Sequence, residues 1–163
     1  MVASPVFSGE GKPKKFPYVD DTPQGKKLIL PEGLETYLEA EFPNFRFPEE
    51  SELSPDMLAY YHSRLIGVHP DIAWGDFNGD KKIDYALLIV TSQSKWGPIV
   101  ELVILNGAGG RDNFTPFRLS EIYNFKEDYL SSDDNKLIKG RYKKGAWFIN
   151  WDKKSKTYII NKS

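Results

Sequence analysis

The 163-residue sequence contains no cysteine, which removes disulfides, thiolate metal centres and thiol nucleophiles together, although it does not fix the compartment. Histidine is nearly as scarce. His62 and His69 stand seven residues apart, but Gly67 and Pro70 break any helix that would align them. Surface or satisfied histidines are therefore expected, not a zinc pair. Charge of one sign is also missing. The 22 basic and 23 acidic residues leave a formal charge of -1, so no overall field draws nucleic acid or an anionic membrane. No apolar run approaches the roughly 18 residues that span a bilayer. Met1 to Pro5 lacks the charged-then-apolar order of a signal peptide, so the chain reads as soluble, with no transmembrane segment. No Gly-x-Ser-x-Gly elbow is present, and Gly107-Ala108-Gly109-Gly110 lacks the Gly-Lys-Ser/Thr ending of a phosphate loop.

The length fits one domain. Residues 1–27 carry four prolines, three glycines and five lysines with little apolar periodicity, which predicts an extended or flexible arm. Residues 28–163 are expected to form a single α+β domain, with N-terminal helices packed on a mainly antiparallel β-sheet. Leu34, Tyr37, Leu38 and Phe42 repeat at helical spacing after Pro31-Glu32, and the helix stops before Pro43. Ser54-Pro55-Asp56 supplies a cap, a first-turn proline and a carboxylate for a second helix. Its apolar side is Met57, Leu58, Tyr61 and Leu65, and Gly67 ends it.

Tyr85 to Thr91 is a nearly continuous apolar run, as expected of a central strand covered on both faces. Ile99 to Leu105 has the same character and should pair with it antiparallel across the polar segment Ser92 to Pro98. Phe117 to Phe125 reads as a third strand and Asp128 to Asn135 as an exposed connection. Ala146 to Trp151 and Thr157 to Ile160 form a closing hairpin.

Asp76-Phe77-Asn78-Gly79-Asp80-Lys81-Lys82-Ile83-Asp84 places side-chain oxygens at loop positions 1, 3, 5 and 9, with the Lys82 carbonyl at position 7. A hard cation takes several oxygens at once, and this is calcium-ligand spacing. Three carboxylates within nine residues repel one another until a divalent ion neutralises them. Position 6 is Lys81, where such loops favour glycine, and position 12 is Leu87, where a helix-loop-helix site has glutamate. The loop leads into a strand, so affinity should fall toward the extracellular range of about 10⁻⁴ to 10⁻³ M.

Gly75-Asp76-Phe77-Asn78-Gly79-Asp80 followed by Asp84-Tyr85-Ala86 resembles the calcium loop of FG-GAP repeats, the integrin-type propeller blades. That resemblance implies Asp76, Asn78, Asp80 and Asp84 as side-chain ligands and Lys82 as a carbonyl ligand of a structural Ca2+. The motif occurs once, which excludes a propeller. From the Pro31 helix to the last hairpin the chain also resembles small bacterial proteins that carry one such loop before a Tyr-Ala-Leu-Leu-type strand. Those proteins are typically exported, which implies a periplasmic or secreted location; the resemblance adds nothing about activity.

Glu49, Glu50 and Glu52 read as a solvated charge run, and the lysines near residues 12–27 and 153–156 as tails and turns. Core packing is expected for Trp74 and Trp147, while Trp96, in a polar hairpin connection, is the one ring whose position gives any argument for a surface role. The expectation for function is a calcium-stabilised, non-enzymatic binding or accessory module that meets a protein or an envelope ligand. The alternatives are a small hydrolase acting on cell-envelope polymers and a subunit of a larger complex.

Overall fold

The computed structural model describes residues 16–23, 25–63, 69–110, 112–119, 123–124 and 126–162. The chain begins with β1 (Tyr18–Thr22), β2 (Gly25–Ile29) and α1 (Glu32–Glu41), then passes a 3-10 turn at Glu50–Glu52 and α2 (Pro55–His62). Eight strands follow: β3 (Ile72–Gly75), β4 (Asp84–Ser94), β5 (Gly97–Gly107), β6 (Phe114–Leu119), β7 (Asp128–Asp133), β8 (Lys136–Arg141), β9 (Gly145–Asp152) and β10 (Thr157–Lys162). All pairings are antiparallel. They make the β1-β2 hairpin and two four-stranded sheets of order β3-β4-β5-β6 and β10-β9-β8-β7.

The expected α+β class is overturned: half of the structure is strand and 16% is helix, spread over three sheets with two short helices. The physical reason lies in polar hairpins whose weak alternation resembles connecting chain. Asp128–Asp133, expected as an exposed connection, is β7. It buries Asp128 and Leu130 on one face and leaves Ser132 and Asp133 exposed. The third strand is shifted too, running over Phe114–Leu119, while residues 120–122 and Phe125 of the expected span lie outside the described residues. Of the segment expected as an arm, residues 1–15 and Gln24 lie outside the described residues, and Tyr18 onward forms the first hairpin.

β4 and β5 sit at the centre because each is apolar on both faces. Ala86, Leu88 and Val90 of β4 join Val100, Leu102 and Ile104 of β5 in a core between the two large sheets. There they meet Leu130, Leu137, Ile149 and Tyr158 from the opposite sheet. The alternate residues Tyr85, Leu87, Ile89, Val103 and Leu105 face a second core, closed by Leu34, Leu38 and Phe42 of α1. This is the period of two turned to both sides at once. Each fully buried leucine in these layers contributes roughly 1.5–3 kcal/mol of transfer free energy. The two sheets pack face to face and also approach along their flanks, β3 near β7 and β6 near β10. Leu130 N–H donates to the Pro70 carbonyl at 2.7 Å across one flank.

Both helices start where expected, and α1 ends before Pro43, but α2 ends at His62 with Ser63 as its C-cap, short of the expected Leu65. α1 starts directly after Pro31, and Ser54 Oγ caps α2 by accepting from Met57 N–H at 3.2 Å, while Leu65 and Gly67 lie outside the described residues. The β4-β5 turn is tighter than the polar segment implied, with Ser94 paired to Gly97 and a bulge at Thr91. Trp96 stands at its tip, 86% exposed. Among the described residues, no helix is long and apolar enough to cross a membrane.

Candidate metal-binding loop

β3 and β4 are antiparallel neighbours with Gly75 opposite Asp84, and the chain between them is the acidic loop. Its winding is dictated by short side chains that accept from nearby amides. Asp76 Oδ1 accepts from Gly79 and Asp80 N–H at 2.8 and 2.9 Å, and Asp76 Oδ2 from Lys81 N–H at 2.9 Å. Asn78 Oδ1 accepts from Asp80 N–H and Asp80 Oδ1 from Lys82 N–H, each at 2.9 Å. The loop needs two left-handed residues to turn this tightly. Gly79 has φ 79° at no steric cost, whereas Lys81 has φ 68° and carries a strain of roughly 1 kcal/mol.

Asp84 is fully buried, and its carboxylate fastens the loop to the sheet. Oδ2 accepts from Phe77 and Asn78 N–H at 2.8 and 3.2 Å, and Oδ1 accepts from Gly107 N–H on β5 at 3.0 Å. Burial raises its pKa to about 6, with the Gly107, Phe77 and Asn78 amides opposing that shift. Two glycines allow the close seating. A Cβ at Gly107 would fall 2.6 Å from the Ile83 carbonyl oxygen, and one at Gly75 would fall 2.9 Å from the Phe77 ring.

A residue the sequence reading passed over completes the loop. Asp134 and Asn135 both take positive φ in the two-residue turn between β7 and β8. Asn135 Oδ1 then accepts from Asp76 N–H at 3.0 Å, joining the loop to the other sheet. The Asp-Asn pair was the available signal, since both tolerate left-handed backbone. Beside this junction lies an open depression of about 470 Å³ lined by Phe16, Trp74, Gly75, Asp76, Lys81, Lys82, Ile83 and Asn135.

The donor chemistry suits calcium, because every candidate ligand is an oxygen. The resident positions are not a finished cage. Among the described residues, no three His, Cys, Asp or Glu side chains gather closely enough to hold a metal. Asp76, Asn78 and Asp80 are turned onto loop amides, Lys82 Nζ lies 3.5 Å from Asp80 Oδ2, and Asp84 accepts from three N–H groups. An ion would have to draw Asp76 and Asp80 together while Asp84 kept its grip on the strands.

The other polar candidates resolve into structure. Glu52 binds Arg46 through both oxygens at 2.6 and 2.9 Å and accepts from Glu49 N–H, and the arginine holds its pKa below the usual range. His62 lies exposed at 3.3 Å from Glu50. His69 is different, because it is paired with a buried carboxylate that nothing in the sequence pattern marks. Asp71 is 1% exposed, and neither of its oxygens has a hydrogen-bond partner. His69 Nδ1 lies 3.4 Å from Asp71 Oδ2 and accepts from Asp71 N–H at 3.3 Å, which puts the imidazole lone pair toward the carboxyl group. Desolvation, with a smaller contribution from Glu52, pushes the Asp71 pKa well up, and desolvation pushes that of His69 down to about 4. Both directions favour a neutral acid beside a neutral imidazole.

A second buried acid, Asp128, is compensated. It takes Arg141 Nη2 at 3.0 Å and lies 3.6 Å from Lys139 Nζ, which in turn sits over the rings of Tyr123 and Trp147. No protein-family model, no curated protein and no solved structure matches this chain.

Proposed function

We propose that the protein is a calcium-stabilised, non-enzymatic binding or accessory module working outside the cytoplasm. The observation that supports it best is the loop from Asp76 to Asp84, wound by its own carboxylates and seated on both large sheets through Gly107 and Asn135. Asp76, Asn78, Asp80 and Asp84, with the Lys82 carbonyl, would hold the ion. Its charge would offset three carboxylates in nine residues and fix the chain that leads into β4. An affinity in the extracellular range of about 10⁻⁴ to 10⁻³ M suits a compartment where calcium is abundant.

Thermal unfolding in millimolar calcium and then in chelator tests this. At free calcium tenfold above Kd the gain is about 1.4 kcal/mol, or roughly 3 to 6 °C in Tm. A variant with both Asp76→Asn and Asp80→Asn should lose the shift. An unchanged Tm in the native chain refutes the reading.

The hydrolase reading has less behind it. The loop depression has a single carboxylate on its wall, and in a second depression of about 330 Å³ both acids are matched by lysines. Lys143 lies 3.0 Å from Asp56 and Lys144 2.7 Å from Glu127, an arrangement that does not leave one acid protonated and one free as glycoside cleavage requires.

A further inference from the structure

The depression beside the acidic loop brings together aromatic, cationic, carboxylate and amide groups. Trp74 and Phe16 form one wall, with ring centroids 6.2 Å apart and planes tilted by 30°. Lys81 and Lys82 line it from the loop, two ammonium groups against the single carboxylate of Asp76. Lys82 is drawn to Asp80, but Lys81 has no ion-pair or hydrogen-bond partner for its ammonium among the described residues. Asn135 spends its amide oxygen on Asp76 N–H, which leaves its NH2 group as a donor on the rim.

From this juxtaposition we propose that the depression binds an anionic sugar, a pyranose ring carrying a carboxylate. The proposal rests on the reading of the protein as a binding module and names its ligand class. An aromatic wall stacks on the apolar face of a sugar ring. The Lys81 ammonium and the Asn135 NH2 donate to its carboxylate and ring oxygens. The Asp76 carboxylate on the wall disfavours a compact, highly charged anion such as phosphate against a sugar whose single carboxylate is carried on a ring of hydroxyls. A volume of about 470 Å³ lies within the range of small-ligand sites. Lys81 also explains itself here: a lysine is kept at φ 68°, where glycine would sit without strain, at the position whose side chain reaches the depression.

Calorimetric titration with trigalacturonate, with cellotriose as the neutral control and inorganic phosphate as the anion control, tests the proposal. Trigalacturonate should bind at least tenfold more tightly than either control. Lys81→Gly should raise Tm by relieving the backbone and yet weaken trigalacturonate at least tenfold, a pairing that a purely structural lysine does not produce. Lys81→Arg should retain binding. Equal affinity for trigalacturonate and either control, or undiminished binding by Lys81→Gly, overturns the proposal. The calcium reading is scored separately. A calcium-dependent Tm with no sugar binding removes only the ligand assignment, and sugar binding without a calcium-dependent Tm removes only the ion.

Discussion

Replacing His69 by asparagine should abolish a specific loss of stability on the acid side of neutrality. The His69 side chain is 13% exposed, and desolvation lowers its pKa from 6.5 to about 4. A histidine with a depressed folded-state pKa contributes stability above its unfolded pKa and loses it as the pH drops toward the folded value. Over about 2.5 pH units at 1.36 kcal/mol each, the native chain should lose about 3 kcal/mol between pH 6.5 and pH 4 through this one side chain. Asp71 works in the opposite direction. Its raised pKa contributes stability below about 3.8 that is lost as pH rises toward the folded value. Because Asp71 touches His69, the comparison is made in an Asp71→Asn background, which removes its titration from both proteins. The asparagine introduced at position 69 retains an oxygen able to accept from the backbone N–H of position 71, which keeps the turn comparable. Urea unfolding of both proteins at half-unit steps from pH 4 to 7.5 measures the difference directly. It should favour the variant increasingly below pH 6.5, by about 1.4 kcal/mol per unit. A difference that stays flat across this range refutes the burial argument for His69.

Two further substitutions probe the loop and the longest hairpin. Asp84→Ala leaves the Phe77, Asn78 and Gly107 amides without their acceptor and should cost about 3 to 5 kcal/mol, seen as a large drop in the urea midpoint, whereas a cost below about 1 kcal/mol would show that the carboxylate is not the anchor. Trp96→Ser should change stability by less than about 0.5 kcal/mol, because the ring is 86% exposed and its closest partner is the Lys95 ammonium, 5.0 Å from the ring centroid.

The parts of the fold that the sequence announces are those with a strong apolar period. Leu34, Leu38 and Phe42 mark α1 because one face of it is buried, and the unbroken run from Tyr85 to Val90 marks a strand buried on both sides. β7 and β8 are harder to see. Asp128 and Lys139 occupy inward positions where apolar residues are expected, and they are tolerated because they meet each other and Arg141. The same applies to the site. The loop is legible because its donors follow one another in the chain, but Asn135 and Gly107 join it from other strands. The Asp71–His69 dyad is silent for a related reason: a desolvated carboxylate is defined by what surrounds it, and here that includes Glu52 of the 3-10 turn and, through His69, the Tyr61 ring of α2 at 5.4 Å.

The hydrogen bond from Asp76 N–H to Asn135 spans 59 positions of the chain, while the amides that wind the loop close over seven or fewer. Winding of the loop is therefore a local event available early, and Asp84 ties it to its own sheet, whereas its link to Asn135 waits until the two sheets have met, because that contact gives nothing until a long stretch of chain has been closed. That link becomes a late marker of assembly: a chain with both sheets formed but not yet docked would have the turn wound and held by Asp84, with Asp76 N–H still without Asn135.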